Sequence, residues 1–111
     1  MKLFKRLSRS VKGKVAIITG AGSGMGAATA KVFAEEGVKV VATDVNLEAV
    51  MTVSEEIKSN GGVCQAIQLD VTNKAEIENC LEETIKEFGS LDFVINNAGI
   101  SSATAVDDEN Y

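Results

Sequence analysis

Two hydrophobic periods take turns along this chain. Residues 14–19 (KVAIIT) are a β-branched apolar run ending at a glycine-rich turn, the pattern of a parallel strand covered on both faces. Residues 24–36 then carry small or apolar side chains at Ala27, Ala28, Ala30, Val32, Phe33 and Ala34, and Gly37 follows as a helix stop. The period returns to two in residues 38–43 (VKVVAT), lengthens over a helix at 47–60 closed by Gly61 and Gly62, and shortens again at 63–69 (VCQAIQL). A third helix starts from Thr72 or Asn73 as N-cap and runs to Phe88, with Ile77, Cys80, Leu81, Thr84, Ile85 and Phe88 on one stripe and Gly89 after it. Residues 91–96 (LDFVIN) read as a fourth strand, and residues 97–111 are small and polar without clear periodicity. This βαβαβαβ alternation predicts a parallel α/β sheet. Right-handed crossovers then give strand order 3-2-1-4, the first two helices on one face and the third on the other. Strand four becomes an apolar edge, open to aggregation or to pairing with another chain.

Charge divides the chain where hydropathy does not. Of 111 residues, 11 are Lys or Arg and 16 are Asp or Glu, for a net charge of −5, which argues against nucleic acid as a partner. Six of the basic residues (Lys2, Lys5, Arg6, Arg9, Lys12, Lys14) fall in the first 14 positions, which contain no acid, so the remainder carries five basic against 16 acidic residues, a net −11. Residues 1–12 therefore read as a solvated basic arm ahead of one domain at 13–111. Leu3, Phe4 and Leu7 are interrupted by Lys and Arg, unlike the apolar core of a secretory signal, and no apolar run approaches the roughly 18 residues of a membrane span. Membrane is accordingly not an expected partner. There is no His, which excludes a Ser/His/Asp hydrolase or a His-ligated zinc site built from these residues. Cys64 and Cys80, without a CxxC, read as buried thiols of a reducing compartment, and the expected location is the cytoplasm.

Candidate chemistry concentrates where the first strand meets the first helix, at Thr19-Gly20-Ala21-Gly22-Ser23-Gly24-Met25-Gly26. Glycine here permits a tight turn, close approach of a diphosphate to the backbone and close helix-strand packing, while the free amides of the helix start favour an anion. The next strand ends at Asp44, 18 residues beyond Gly26, where a carboxylate accepts from ribose hydroxyls. A phosphate-loop NTPase is set aside because GxxxxGK[ST] is missing and the first Lys after the glycines is Lys31.

Thr19-Gly20-x-x-x-Gly24-x-Gly26, Asp44, Asp70-Val71 and Asn96-Asn97-Ala98-Gly99, in this order after the four strands, resemble the short-chain dehydrogenase/reductase family in its classical branch. The resemblance covers residues 13 to about 105 and implies a Rossmann-like, doubly wound sheet that binds a nicotinamide dinucleotide. It assigns Gly20, Gly22, Ser23, Gly24, Met25 and Gly26 to the pyrophosphate, Asp44 to the adenosine ribose, Asp70 and Val71 to the adenine, and Asn97, Ala98 and Gly99 to the ribose and nicotinamide side. Asn96 is expected mainly to tie neighbouring strands. Asp70 also fits a cap before a helix, and Asn96 with Asn97 a turn-stabilising pair. Asp44 beside a 2′-phosphate costs about 4 kcal/mol per charge pair at 4 Å and an effective dielectric near 20, so NAD is expected over NADP. Ser23 and Val45 stand where NADP-preferring members often carry a basic residue.

One departure separates this sequence from the family pattern. The family's catalytic Ser and Tyr-x-x-x-Lys have no matching positions: Ser101 and Ser102 follow Asn96 to Gly99 too closely, and Tyr111 has no Lys after it. The expectation is an incomplete domain, truncated after strand four and inactive alone. In the complete protein it serves an oxidoreductase moving hydride between nicotinamide and a small carbonyl or alcohol, as a homo-oligomer. A self-standing nucleotide-binding or interaction module is the alternative. An S-adenosylmethionine-dependent methyltransferase is weaker, since Thr19-Gly20 and Asn96 to Gly99 argue against it.

Overall fold

The computed structural model describes residues 11–97. Residues 1–10 of the arm expected at 1–12, together with Ala98, Gly99, Ser101, Ser102 and Tyr111, lie outside the described residues, whereas Val11 is half-buried, packs against the core and accepts through its carbonyl from the Lys14 amide at 2.9 Å. Within them the elements run β1 (Val15–Thr19), α1 (Gly24–Glu35), β2 (Lys39–Asp44), α2 (Leu47–Ser59), β3 (Val63–Gln68), α3 (Lys74–Phe88) and β4 (Phe93–Asn96). The four strands are parallel in the order β3-β2-β1-β4, the doubly wound arrangement expected.

Period-two alternation sorts β1 and β2 between two cores. Ala16, Ile18, Val40 and Ala42 face α1 and α2, where they pack with Ala27, Ala30 and Ala34 and with Val50, Val53 and Ile57. Ile17 and Val41 face the opposite side, with Leu69, Cys80, Ile77 and Phe88. The buried side chains by which α1 meets the sheet are alanines, with Phe33 packed beside them, so the helix can approach β1 and β2 closely. Removing a fully buried side chain such as Ile18 costs on the order of 2–5 kcal/mol.

The helix ends follow their local chemistry. Asn46 and Asn73 accept from the Ala49 and Glu76 amides at 3.0 and 3.1 Å, with Glu48 and Glu76 in the respective first turns. Asn73, rather than Thr72, is thus the cap of α3.

Several element ends differ from the sequence expectation by one residue, and three differences have a visible cause or consequence. β2 runs over Lys39–Asp44 rather than 38–43, ending at Asp44 because the Asp44 backbone stays in the ladder opposite Gln68. β4 begins at Phe93 instead of residue 91, because Asp92 bonds β1 from outside the strand: its carboxylate accepts from the Val15 amide at 2.9 Å, and its own amide donates to the Val15 carbonyl at 2.9 Å. On α3 only part of the apolar stripe is covered, Cys80 and Thr84 being buried while Leu81 and Ile85 are exposed. β4 is the sheet edge, with Phe93 and Val94 exposed at 37% and 57%.

Both cysteines are free and buried, and burial pushes each thiol above its ordinary pKa. No helix among the described residues is long and apolar enough to cross a membrane, and no group of three His, Cys, Asp or Glu among them could hold a metal ion.

Candidate functional site

All four strands point their carboxyl ends to one edge of the sheet. Order 3-2-1-4 puts the change of strand order between β1 and β4, whose last residues, Thr19 and Asn96, are paired in register. Thr19 is buried, and its hydroxyl donates to the Asn96 side-chain oxygen at 2.8 Å, as the strand-tying expectation for Asn96 has it. On the other flank, the Ala21 amide donates to the Thr43 carbonyl at 2.9 Å and holds the turn against β2.

The turn from Gly20 to Gly26 is glycine-rich for two separable reasons. Gly20 and Gly24 have φ of 63° and 58°, left-handed values that L side chains strain to adopt. Gly26 is needed for closeness instead: a Cβ there would overlap the Gly20 carbonyl oxygen and lie 2.7 Å from its carbon. Gly22 is crowded too, since its Cβ would come within 2.9 Å of Ala49 Cβ and of Asp44 Oδ2.

α1 opens differently from the other two described helices. Its N-cap, Ser23, is extended (φ −160°, ψ 169°) and makes no side-chain cap bond, and the first turn has no acidic residue. The Ala27 amide reaches the Ser23 carbonyl at 3.3 Å, so the amides of Gly24, Met25 and Gly26 precede the helical ladder. Ser23, Gly24 and Met25 are exposed, Met25 at 69%. Free amides and the positive end of the helix dipole converge on this surface with no built-in anion to satisfy them.

Asp44 joins the turn to β2. Its Oδ2 accepts from the Gly22 amide at 2.9 Å and its Oδ1 from the Asn46 amide at 3.0 Å. A carboxylate offers about four acceptor sites, so capacity remains on each oxygen. The sequence did not single out Asn46 or Ala49 as site residues, because a bond or a contact across the turn leaves no local periodic signal.

Asp70 and Val71 follow β3 on the same side. Asp70 Oδ1 accepts from the Thr72 amide at 2.9 Å and from the Thr72 hydroxyl at 2.7 Å, which holds its carboxyl below the usual range. Its amide donates to Glu76 Oε1 at 2.9 Å. Val71 is half-buried and lines a cavity of about 260 Å³ with Ile17, Leu69, Ile77, Cys80 and Val94 on the α3 face. Asn97 follows β4, and its side-chain Nδ2 is buried without a hydrogen-bond partner among the described residues. A larger hollow of about 640 Å³ lies elsewhere, by the β3 edge between Leu47, Met51, Val63 and Phe88, with none of the convergent amides seen at the turn.

These residues suit a dinucleotide. Gly24 has open space where a Cβ would stand, the amides at the start of α1 have no side-chain cap, Asp44 retains acceptor capacity, and Asn97 offers a buried donor without a partner among the described residues. Asp70 can contribute through Oδ2, its Oδ1 being engaged by Thr72.

Comparison with known proteins agrees with this geometry. The short chain dehydrogenase family model matches residues 14–110. A 2,5-dichloro-2,5-cyclohexadiene-1,4-diol dehydrogenase of Sphingobium indicum is 47% identical over 94 residues, 85% of this chain and 38% of that protein. A cyclohexanol dehydrogenase of an Acinetobacter species is 42% identical over 96 residues, 86% of this chain and 38% of its own. Among solved structures, a hydroxysteroid dehydrogenase from Escherichia coli superposes with a TM-score of 0.76 at 38% identity, over 78% of this chain and 37% of that one. A short chain dehydrogenase/reductase from Burkholderia phymatum in complex with NAD gives 0.74 at 33% identity, over 76% of this chain and 30% of its own. The chain thus spans 38% of the length of either of these curated relatives. By its family match, its fold and its glycine turn, the chain belongs to the short-chain dehydrogenase/reductase family.

Proposed function

We propose that this chain binds NAD at the carboxyl edge of its sheet and forms the cofactor-binding part of an NAD-dependent oxidoreductase acting on a carbonyl or alcohol. The observation that carries the reading is the pairing of an uncapped, acid-free helix start with a glycine cradle stapled to Asp44. In this reading the amides of Gly24, Met25 and Gly26 bind the diphosphate, with Ser23 and Met25 at the rim and Gly20 and Gly22 shaping the turn beneath it. Asp44 accepts from the adenosine ribose, Asp70 and Val71 border the adenine, and Asn97 with Ala98 and Gly99 orients the far ribose and nicotinamide. The bound nicotinamide supplies hydride donation or acceptance.

The preference for NAD over NADP rests on Asp44, whose carboxylate repels a 2′-phosphate by about 4 kcal/mol at 4 Å and an effective dielectric near 20. Proton transfer and substrate positioning belong, by family resemblance, to a Ser and a Tyr-x-x-x-Lys that have no counterpart in these 111 residues, so the chain alone is proposed to be inactive. Buried free cysteines favour a reducing compartment such as the cytoplasm, and the complete enzyme is proposed to be a homo-oligomer.

Titration of the chain with NADH, NADPH and S-adenosylmethionine tests the reading. NADH should bind at least tenfold more tightly than NADPH, and Asp44→Ala should narrow that gap. Equal binding of the two nicotinamides, a gap unmoved by Asp44→Ala, or tight selective binding of S-adenosylmethionine would overturn it.

A further inference from the structure

β2 and β3 part company just beyond Asp44, and one side chain bridges the opening. The backbone ladder ends with Asp44 opposite Gln68 and with the Leu69 amide donating to the Asp44 carbonyl at 2.9 Å. One residue beyond the end of β2, the Gln68 Nε2 donates to the Val45 carbonyl at 3.0 Å. The side-chain amide supplies one rung past the point where the backbones can. Val45 itself is 62% exposed and packs little, so this bond is what ties the middle of the turn to β3. Its neighbours are tied elsewhere: Asp44 through Oδ2 to Gly22, and Asn46 to Asp44 Oδ1 and to the first turn of α2.

We infer that Gln68 is a positioning residue for cofactor discrimination, holding the turn at 44–46 so that the Asp44 carboxylate keeps one orientation toward the ribose. The inference rests on the NAD reading above. Repulsion between a carboxylate and a 2′-phosphate falls as the charges separate, halving between 4 and 8 Å even before screening. A turn free to swing outward gives up that repulsion for NADPH and loses hydrogen bonds to NADH in the same movement. Gln68 opposes the swing from the only strand flanking β2 on that side. Because its side chain is exposed, the bond contributes little to global stability, and its effect should appear in the ratio of the two cofactor affinities.

The test is a double-mutant cycle on the 111-residue chain, with dissociation constants for NADH and NADPH as readouts. Gln68→Met keeps the side-chain length, removes the donor and adds no charge. It should lower the NADPH:NADH ratio of dissociation constants about 3- to 10-fold, the range expected for one hydrogen bond. In an Asp44→Asn background, the same substitution should change the ratio less than about 1.5-fold, since the charge it positions is gone. An unchanged ratio in Gln68→Met overturns the inference, as does equal weakening of both cofactors, the outcome of a merely structural role. An equal fall of the ratio in both backgrounds also overturns it, because Gln68 would then act independently of Asp44. A parent chain that binds neither nicotinamide overturns the NAD reading itself, which separates the two failures.

Discussion

Gly26→Ala puts the close approach of α1 to the glycine turn under direct strain. The added Cβ would overlap the Gly20 carbonyl oxygen and sit 2.7 Å from its carbon, where nonbonded carbons settle at about 3.5–4.0 Å. The helix start must therefore retreat by about 1 Å, away from a strand it meets through Ala27, Ala30 and Ala34. Overpacking of this kind costs about 1–3 kcal/mol, and the better helix propensity of alanine returns at most about 1. A net loss of about 1–2 kcal/mol lowers the midpoint by roughly 4–16 °C in a domain of this size. Gly24→Ala supplies the contrast. Its Cβ meets nothing within 4 Å, so its cost comes only from a φ of 58° and amounts to about 1 kcal/mol. Urea and thermal unfolding of both variants, with NADH titration beside them, read the difference. Gly26→Ala should lose NADH affinity at least tenfold, because the retreat displaces the amides that face the diphosphate. A Gly26→Ala chain within about 0.5 kcal/mol of the parent, the range of an ordinary surface substitution, and undiminished in binding would refute the argument that closeness explains this glycine.

The helix starts make a second prediction: Asn46→Ala should cost about 1 kcal/mol in urea unfolding, whereas Ser23→Ala should cost almost nothing, since Ser23 makes no cap bond. A Ser23→Ala loss as large as that of Asn46→Ala would contradict the uncapped reading of α1. Acid unfolding provides a third. The Thr72 bonds lower the Asp70 pKa, so its contribution is complete above the ordinary aspartate value of about 3.9 and is lost as pH falls through the depressed one. Asp70→Asn should flatten stability against pH below about 4 and leave the slope at neutral pH unchanged, and a slope altered only near pH 7 would count against this.

What could be read in the sequence follows from which signals are local. Strand order was legible because parallel strands joined by right-handed helices leave few alternatives, and the two cores follow from period two on β1 and β2. Asp44 could be placed after its strand from spacing, but its bond to Gly22 joins residues 22 positions apart and has no periodic trace. The cap of α3 stayed open between Thr72 and Asn73 because both side chains suit the role, and only geometry shows Asn73 accepting from Glu76. The apolar pattern extends β4 by two residues because Leu91 continues it, whereas the Asp92 carboxylate takes up the Val15 amide outside the strand. The wide stripe of α3 announced an apolar surface without saying how much of it this sheet covers, and Leu81 and Ile85 remain exposed.

The pairing of β1 with β4 sets an order of assembly. Val15 and Asp92 are joined across 77 positions, while Ile18 and Thr43 are joined across 25. Closing the longer loop costs about 1 kcal/mol more in chain entropy, and β4 leaves the ribosome after β1, β2 and β3. The glycine turn and its Asp44 staple can therefore form from the first half of the chain, whereas the wall carrying Asn97 waits for β4 to dock. Until it does, the β1 edge of the sheet is an open flank of backbone and apolar side chains, and docking of β4 is the step that ends this exposure during synthesis.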